Sequence, residues 1–182
     1  MIVVCALTVG VAAACSPTGA QQGPGAAMSP VERTISADLL ARLNQERAAR
    51  GLAPLASDAG LEARSFDWSR TMPALATPTA RLHHSDLNPL LGRFTAAAEN
   101  IAWTSGGGAG LIHVSWMRSD GHRQNMLAAN VDVVGIAVSC VGHQMWVTET
   151  FGRRPGAAGD PNFGGVPALD PIANPATGGP SC

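Results

Sequence analysis

Histidine offers the widest choice of chemistry near neutral pH, because an imidazole can ligate a metal, move a proton or switch a hydrogen bond. The chain carries five histidines, His83, His84, His113, His122 and His143. Two imidazoles and a carboxylate can hold a divalent cation such as Zn²⁺ at about 2.0–2.1 Å, leaving a position for water or substrate. The short motifs that mark common catalytic sites are missing from the sequence. No His-Glu-x-x-His run is present, so the usual zinc-protease helix is not indicated. No Gly-x-Ser-x-Gly elbow is present either. Ser85 beside His84 is not a nucleophile signature, because triad partners meet in space and not by adjacency. Gly106-Gly107-Gly108 lacks the lysine and the preceding strand of a phosphate loop. Cys140 falls in a strand-like apolar run and is a poor nucleophile.

The cysteines speak to location. MIVVCALTVGVAAAC is an uncharged apolar run, too short to span a bilayer and of the length of a signal-peptide core closed by small residues. The missing positive charge at its start suggests that translation begins upstream. Cys15 after three alanines resembles a lipoprotein processing site, with Ala12 where leucine is usual; ordinary cleavage nearby is the alternative. A lipidated Cys15 would anchor the chain to a membrane through acyl chains. In an oxidising compartment Cys140 and Cys182 are expected to pair if the tail swings back; otherwise Cys140 is a buried thiol and Cys182 is free.

These residues must be positioned by folded elements, and the pattern divides the chain. Residues 1–15 form the signal or lipoprotein-type segment, and 16–33 a Pro/Gly/Gln/Ala-rich linker. Residues 34–154 form one domain, and 155–182 a Pro/Gly-rich tail, extended or disordered. SADLLARLNQERAARG predicts a helix capped by Ser36 and stopped at Gly51, with Leu39, Leu40 and Leu43 on one face. A second helix is predicted over 58–72, capped by Ser57 and ended by Pro73. A third is predicted over 109–118, burying Leu111 and Trp116. Residues 73–98 read as irregular. Residues 131–140 and 144–151, around Gly142-His143, read as two strands of a hairpin. Helices first and a hairpin last predict an α+β fold. The formal net charge is −1, and no basic cluster is visible, which argues against a nucleic-acid partner.

Four stretches, in this order, resemble the CAP superfamily, the group of cysteine-rich secretory proteins, antigen 5 and pathogenesis-related-1 (the SCP domain), in its short bacterial form. They are LNQERAARGLAPL (43–55), HHSD (83–86), AENIA (98–102) and WMRSDGHRQNML (116–127). VGIAV and WVTETFG follow the last. The resemblance implies a three-layer α-β-α sandwich with N-terminal helices, a small antiparallel sheet, and a cleft holding two histidines and two acids. It maps the first histidine to His84, the first acid to Glu99 and the second histidine to His122. Ser119 stands where many members have the second acid. Asp120 is adjacent but points elsewhere on a helix, and Glu149 is another possible acid.

The implied cleft is therefore His84, Glu99, Ser119 and His122. His84 and His122 are the expected ligands of Zn²⁺ or another divalent cation, with Glu99 as a ligand or as the acceptor that orients a histidine. The alternative is structural, with His122 at a helix start, His84-Ser85 bonding its own loop, and Glu99-Asn100 satisfying loop amides. His83, His113 and His143 are expected to be solvated or locally bonded. Two functions fit: an exported, non-enzymatic, monomeric module binding a lipid, small molecule or protein, or a metal-dependent hydrolase of peptide or envelope material.

Overall fold

The computed structural model describes residues 27–159, 162, 167–169 and 171–182. The apolar segment with Cys15, and the linker up to residue 26, lie outside the described residues. The first helix begins earlier than its Ser36 signal suggests. Helix α1 spans Pro30–Ala48, with Ser29 as its cap. Ser29 and Glu32 form a reciprocal capping box around Pro30, whose missing N–H is harmless at a helix start. The other Glu32 oxygen accepts the Cys140 N–H at 2.9 Å, which pins the helix start to the sheet. Ser36 is buried inside the helix, so the domain reaches back into the expected linker.

Helix α2 spans Ala59–Leu75 and is capped by the Asp58 side chain, not Ser57. Pro73 lies inside it and does not end it. A proline in the last turn removes one backbone bond, and the helix runs on for two residues beyond it. Helix α3 spans Ala109–Arg118 as the sequence predicts. Trp116 is buried, but Leu111 is exposed because it faces away from the sheet. A further short helix, α4, spans Asp120–Met126.

The strands, in chain order, are β1 (Ala56–Ser57), β2 (Ala96–Ser105), β3 (Val133–Val141) and β4 (Gln144–Arg153). They form one sheet in the order β1-β3-β4-β2. The three long strands are antiparallel, and the two-residue β1 joins β3 in parallel, so the sheet is mixed. β2 starts within the stretch expected to be irregular.

Val134, Ile136, Val138, Val147 and Phe151 point to one face, where Ile35, Leu39, Leu43, Ile112 and Trp116 complete the main core. On the opposite face, Ser65 and Ser69 of α2 bond the carbonyls of Gly135 and Ala137 at 2.8 and 3.2 Å. The fold is thus three layers, with α2 on one side of the sheet and α1, α3 and α4 on the other. β2 is an edge, so its alternate side chains can serve elements on both faces. No described helix is long and apolar enough to cross a membrane.

Candidate functional site

The cleft is built around the β2 edge. Glu99 points to the α2 side, where it receives the loop at 83–86. The His84 Nδ1 lies 2.9 Å from Glu99 Oε1, and the Ser85 N–H donates to the same oxygen at 2.9 Å. The Ser85 hydroxyl donates to Glu99 Oε2 at 2.5 Å. A carboxylate only accepts, so the His84 ring carries a hydrogen on Nδ1, and Nε2 is left outside this bond. The Glu99 side chain is 2% exposed and that of His84 61% exposed. The acid is thus a buried anchor, and the imidazole stands in solvent.

Helix α2 holds the loop from behind. Arg64 donates to the Ser85 hydroxyl at 2.9 Å and also bonds the Asp86 carbonyl. The Trp68 indole N–H donates to the His83 carbonyl at 2.8 Å.

The next residue on β2, Asn100, points to the other face and receives α4. Its amide donates to the His122 carbonyl at 3.2 Å and to Glu149 Oε2 at 3.3 Å. The Asn125 amide donates to Asn100 Oδ1 at 2.9 Å and to the Glu99 carbonyl at 3.3 Å. The Trp116 indole N–H reaches the Ile101 carbonyl at 3.2 Å, tying α3 to the same strand. At the far end of α4, the buried Arg47 guanidinium donates to the Met126 and Ala128 carbonyls, both at 2.9 Å. Burial lowers the Arg47 pKa to about 10, so it remains a cation at neutral pH.

His122 stands beside the Trp116 ring, 6.3 Å between centroids. Its Nδ1 is buried and has no hydrogen-bond partner. Burial lowers the His122 pKa, with a smaller lowering from His84. Glu149 is wholly buried, and desolvation raises its pKa to about 8 against the opposing Asn100 bond. It is therefore a neutral acid at pH 7, not a charged ligand.

Folding bonds His84 to Glu99, and ties His122 to the same strand only through its main-chain carbonyl on Asn100. Ser119 sits at the α3–α4 junction, half-buried, with its N–H on the Trp116 carbonyl. Among the described residues, its hydroxyl makes no bond to the other three. Asp120 pairs with Arg123 at 2.7 Å and is largely exposed. His83 lies 3.2 Å from the Ala80 carbonyl, and His143 is exposed. His113 departs from expectation. It is buried against Glu46 at 3.1 Å, and desolvation lowers its pKa despite that partner. Its burial depends on a residue far away on α1, which local sequence does not show.

Ser85, Asn100 and Asn125 are the site residues that sequence reasoning left without a role in the cleft. The available signal was weak, an asparagine beside Glu99 between the apolar residues 96–98 and 101–103, since a buried amide needs partners.

The sequence profile of the cysteine-rich secretory protein family, CAP, matches residues 40–150. The chain belongs to the CAP family. Solved structures share the fold of this CAP domain. One is an extracellular SCP-domain protein of Bacillus anthracis, with 22% identity and TM-score 0.53, covering 71% of this chain and 45% of that one. Another is a cysteine-rich secretory protein of Staphylococcus aureus, with 22% identity and TM-score 0.52, covering 68% and 39%. A third is an outer surface protein of Borrelia burgdorferi, with 20% identity and TM-score 0.52, covering 65% and 91%. The CAP chain described here spans less than half of the first two proteins. Among curated proteins no sequence matches.

The metal expectation can be set against this geometry. Among the described residues, no group of three or more His, Cys, Asp or Glu side chains is gathered to hold an ion. Both Glu99 oxygens are engaged by His84 and Ser85. His84 and His122 remain as the expected donors, two imidazoles in number. That number does not suit a closed structural zinc site or a three-ligand catalytic one.

Proposed function

We propose that this CAP domain is an exported, non-enzymatic binding module whose cleft presents His84 and His122 to solvent. The observation that carries the reading is the use of Glu99. Its carboxylate holds the 83–86 loop through three bonds and is thereby committed to structure. Glu149 is neutral and enclosed, and Ser119 has no base bonded to its hydroxyl. A nucleophilic hydrolase also needs a hydroxyl or thiol bonded to its base, and among the described residues none is bonded to the His84 or His122 ring. A hollow lined by Arg64, Trp68 and Ser85 opens beside the loop and offers a ligand one aromatic face and polar edges.

Export is supported by the signal-like opening run. The Cys140–Cys182 disulfide also supports it, since such bonds persist in oxidising compartments. Similar structures include an extracellular and an outer surface protein. Lipid attachment at Cys15 remains part of the proposal.

Calorimetric titration of the chain with Zn²⁺, beside the His84→Ala/His122→Ala double variant, tests the cleft. The wild type should give a weak heat that fades on acidification, because ligand imidazoles must be neutral to bind, and the variant none. Equal heats would reject the two-histidine site. Peptide hydrolysis by the Zn²⁺-loaded wild type, lost in the variant, would replace the binding module with the hydrolase.

A further inference from the structure

Residues 171–182 lie as an extended strap over α1 and the first turn of α3, and main-chain atoms make most of its bonds. The Ala173 and Asn174 N–H groups donate to the two oxygens of Glu46, each at 3.0 Å. Arg42 donates to the Ala176 carbonyl at 2.9 Å and the Gly178 carbonyl at 3.4 Å. Arg50 donates to the Pro171 carbonyl at 3.0 Å. The Ala109 and Gly110 N–H groups donate to the Pro180 and Gly178 carbonyls, both at 2.9 Å. Only Asn174 adds side-chain bonds, to Arg42 at 3.0 Å and Gln45 at 2.8 Å.

The host surface is cut to this backbone. A Cβ at Gly110 would stand 2.2 Å from the Gly178 carbonyl oxygen and 2.3 Å from that of Ala176. A Cβ at Gly108 would stand 2.7 Å from the Gly179 oxygen. Buried Glu46 needs the strap, since two of its partners are strap amides and the others are His113 and Arg50. One covalent bond closes the arrangement, the disulfide from Cys182 to Cys140 on β3.

We propose that the α1–α3 groove is a binding site for an extended polypeptide segment. The disulfide keeps it occupied in cis, and its partner once that bond opens is residues 171–182 of a second copy of this chain. Recognition is by main chain and by the room at Gly108 and Gly110, so the segment already seated there fits the seat of any copy. Each copy carries one strap and one groove, so reciprocal exchange closes as a symmetric pair. Residues 155–171, PGAAGDPNFGGVPALDP, supply a Pro/Gly-rich connector between β4 and the strap. Opening is thiol–disulfide exchange with a dithiol reductant, which becomes a disulfide and leaves Cys140 and Cys182 as thiols. Closing uses a small-molecule disulfide. It accepts two electrons and two protons as the new Sγ–Sγ bond forms, within one chain or between two.

The test mixes two full-length variants. Cys140→Ser keeps Cys182, and Cys182→Ser keeps Cys140. Reoxidation with glutathione disulfide should give a heterodimer that dithiothreitol splits, with Cys182 of one copy joined to Cys140 of the other in its proteolytic fragments. Gly110→Ala should abolish that heterodimer when placed in the copy bearing Cys140, whose groove must receive the strap. In the copy bearing Cys182, which only donates its strap to the disulfide that is read, it should not lower the yield. Alanine favours a helix, so the host fold is kept, and a thermal melt of each copy checks this. Absence of the heterodimer, or a yield indifferent to which copy carries Gly110→Ala, overturns the proposal.

Discussion

The His84 imidazole donates through Nδ1 to the Glu99 carboxylate across 2.9 Å, while Ser85 fills the remaining acceptor positions. Glu99 therefore sets both the position of the 83–86 loop and the tautomer that His84 shows to solvent. Glu99→Leu keeps much of the bulk but removes every acceptor, so the His84 ring N–H and the Ser85 N–H lose their partner. A buried loss of this kind costs about 1–3 kcal/mol. Urea unfolding should show that loss, and nitrogen NMR should show His84 sampling both tautomers. Unchanged stability with a fixed Nδ1–H tautomer would mean that the carboxylate does not orient the ring.

Glu149 makes the chain sensitive to alkali. Its carboxyl has an unfolded pKa of about 4.3, and burial raises it to about 8 in the fold. Between those values the unfolded chain gives up its proton and the folded chain keeps it. The stabilisation is complete below the unfolded pKa and is lost as pH rises through about 8, with a slope of up to about 1.4 kcal/mol per pH unit. Glu149→Gln still offers an oxygen to Asn100 and cannot ionise. Its stability relative to wild type should improve steadily from about pH 5 to pH 8. His113 and His122 act in the opposite direction, since burial lowers both. Their stabilisation is present above about pH 6.5 and is lost on acidification. They are common to both proteins and cancel in the comparison. Parallel pH profiles would show that Glu149 is ionised in the fold.

How much of this was legible follows from where each signal resides. Helices α1, α2 and α3 and the β3–β4 hairpin announce themselves by periodicity and the Gly142 turn, all local, although the caps of α1 and α2 fall at Ser29 and Asp58 and not at Ser36 and Ser57. β2 does not, because AAAENIAWTS is alanine-rich and polar at its centre. Its alternate residues answer to two layers, with Glu99 serving the 83–86 loop and Asn100 serving α4. Helix α4 is only seven residues long and is held by Asn125, Arg47 and Arg123, all tertiary contacts. His84, Glu99 and His122 came from the family resemblance. The asparagines that join them did not, since an amide acquires its role only when strand and helix meet. The docking of the strap was invisible because main-chain bonds leave no trace in side-chain identity.

The Cys140–Cys182 bond should carry a large share of the stability. It links positions 42 residues apart, for which chain entropy gives about 4 kcal/mol. Cys182→Ser should lower the urea midpoint, and dithiothreitol should lower the wild type to the same value. A reduced wild type as stable as the oxidised one would show that the non-covalent strap contacts suffice.

Two glycines that look alike in sequence should respond in opposite ways. Gly121 precedes His122 in the most family-like stretch, yet a Cβ there meets nothing within 4 Å, and its φ is not positive. In helix α4, Gly121→Ala should be neutral or stabilising by up to about 1 kcal/mol. Gly135 lies in the apolar run of β3, but a Cβ there would stand 2.1 Å from the Leu61 carbonyl carbon and 2.2 Å from the Glu62 nitrogen. These are main-chain atoms of α2, so relief means lifting the helix off the sheet. That movement would strain the Ser65 bond to the Gly135 carbonyl and the Arg64 hold on Ser85. Gly135→Ala should cost about 1–3 kcal/mol and loosen the His84 loop. Thermal melts of both variants, with hydrogen exchange at Ser85, decide the matter. A harmless Gly135→Ala would mean that α2 does not ride directly on β3.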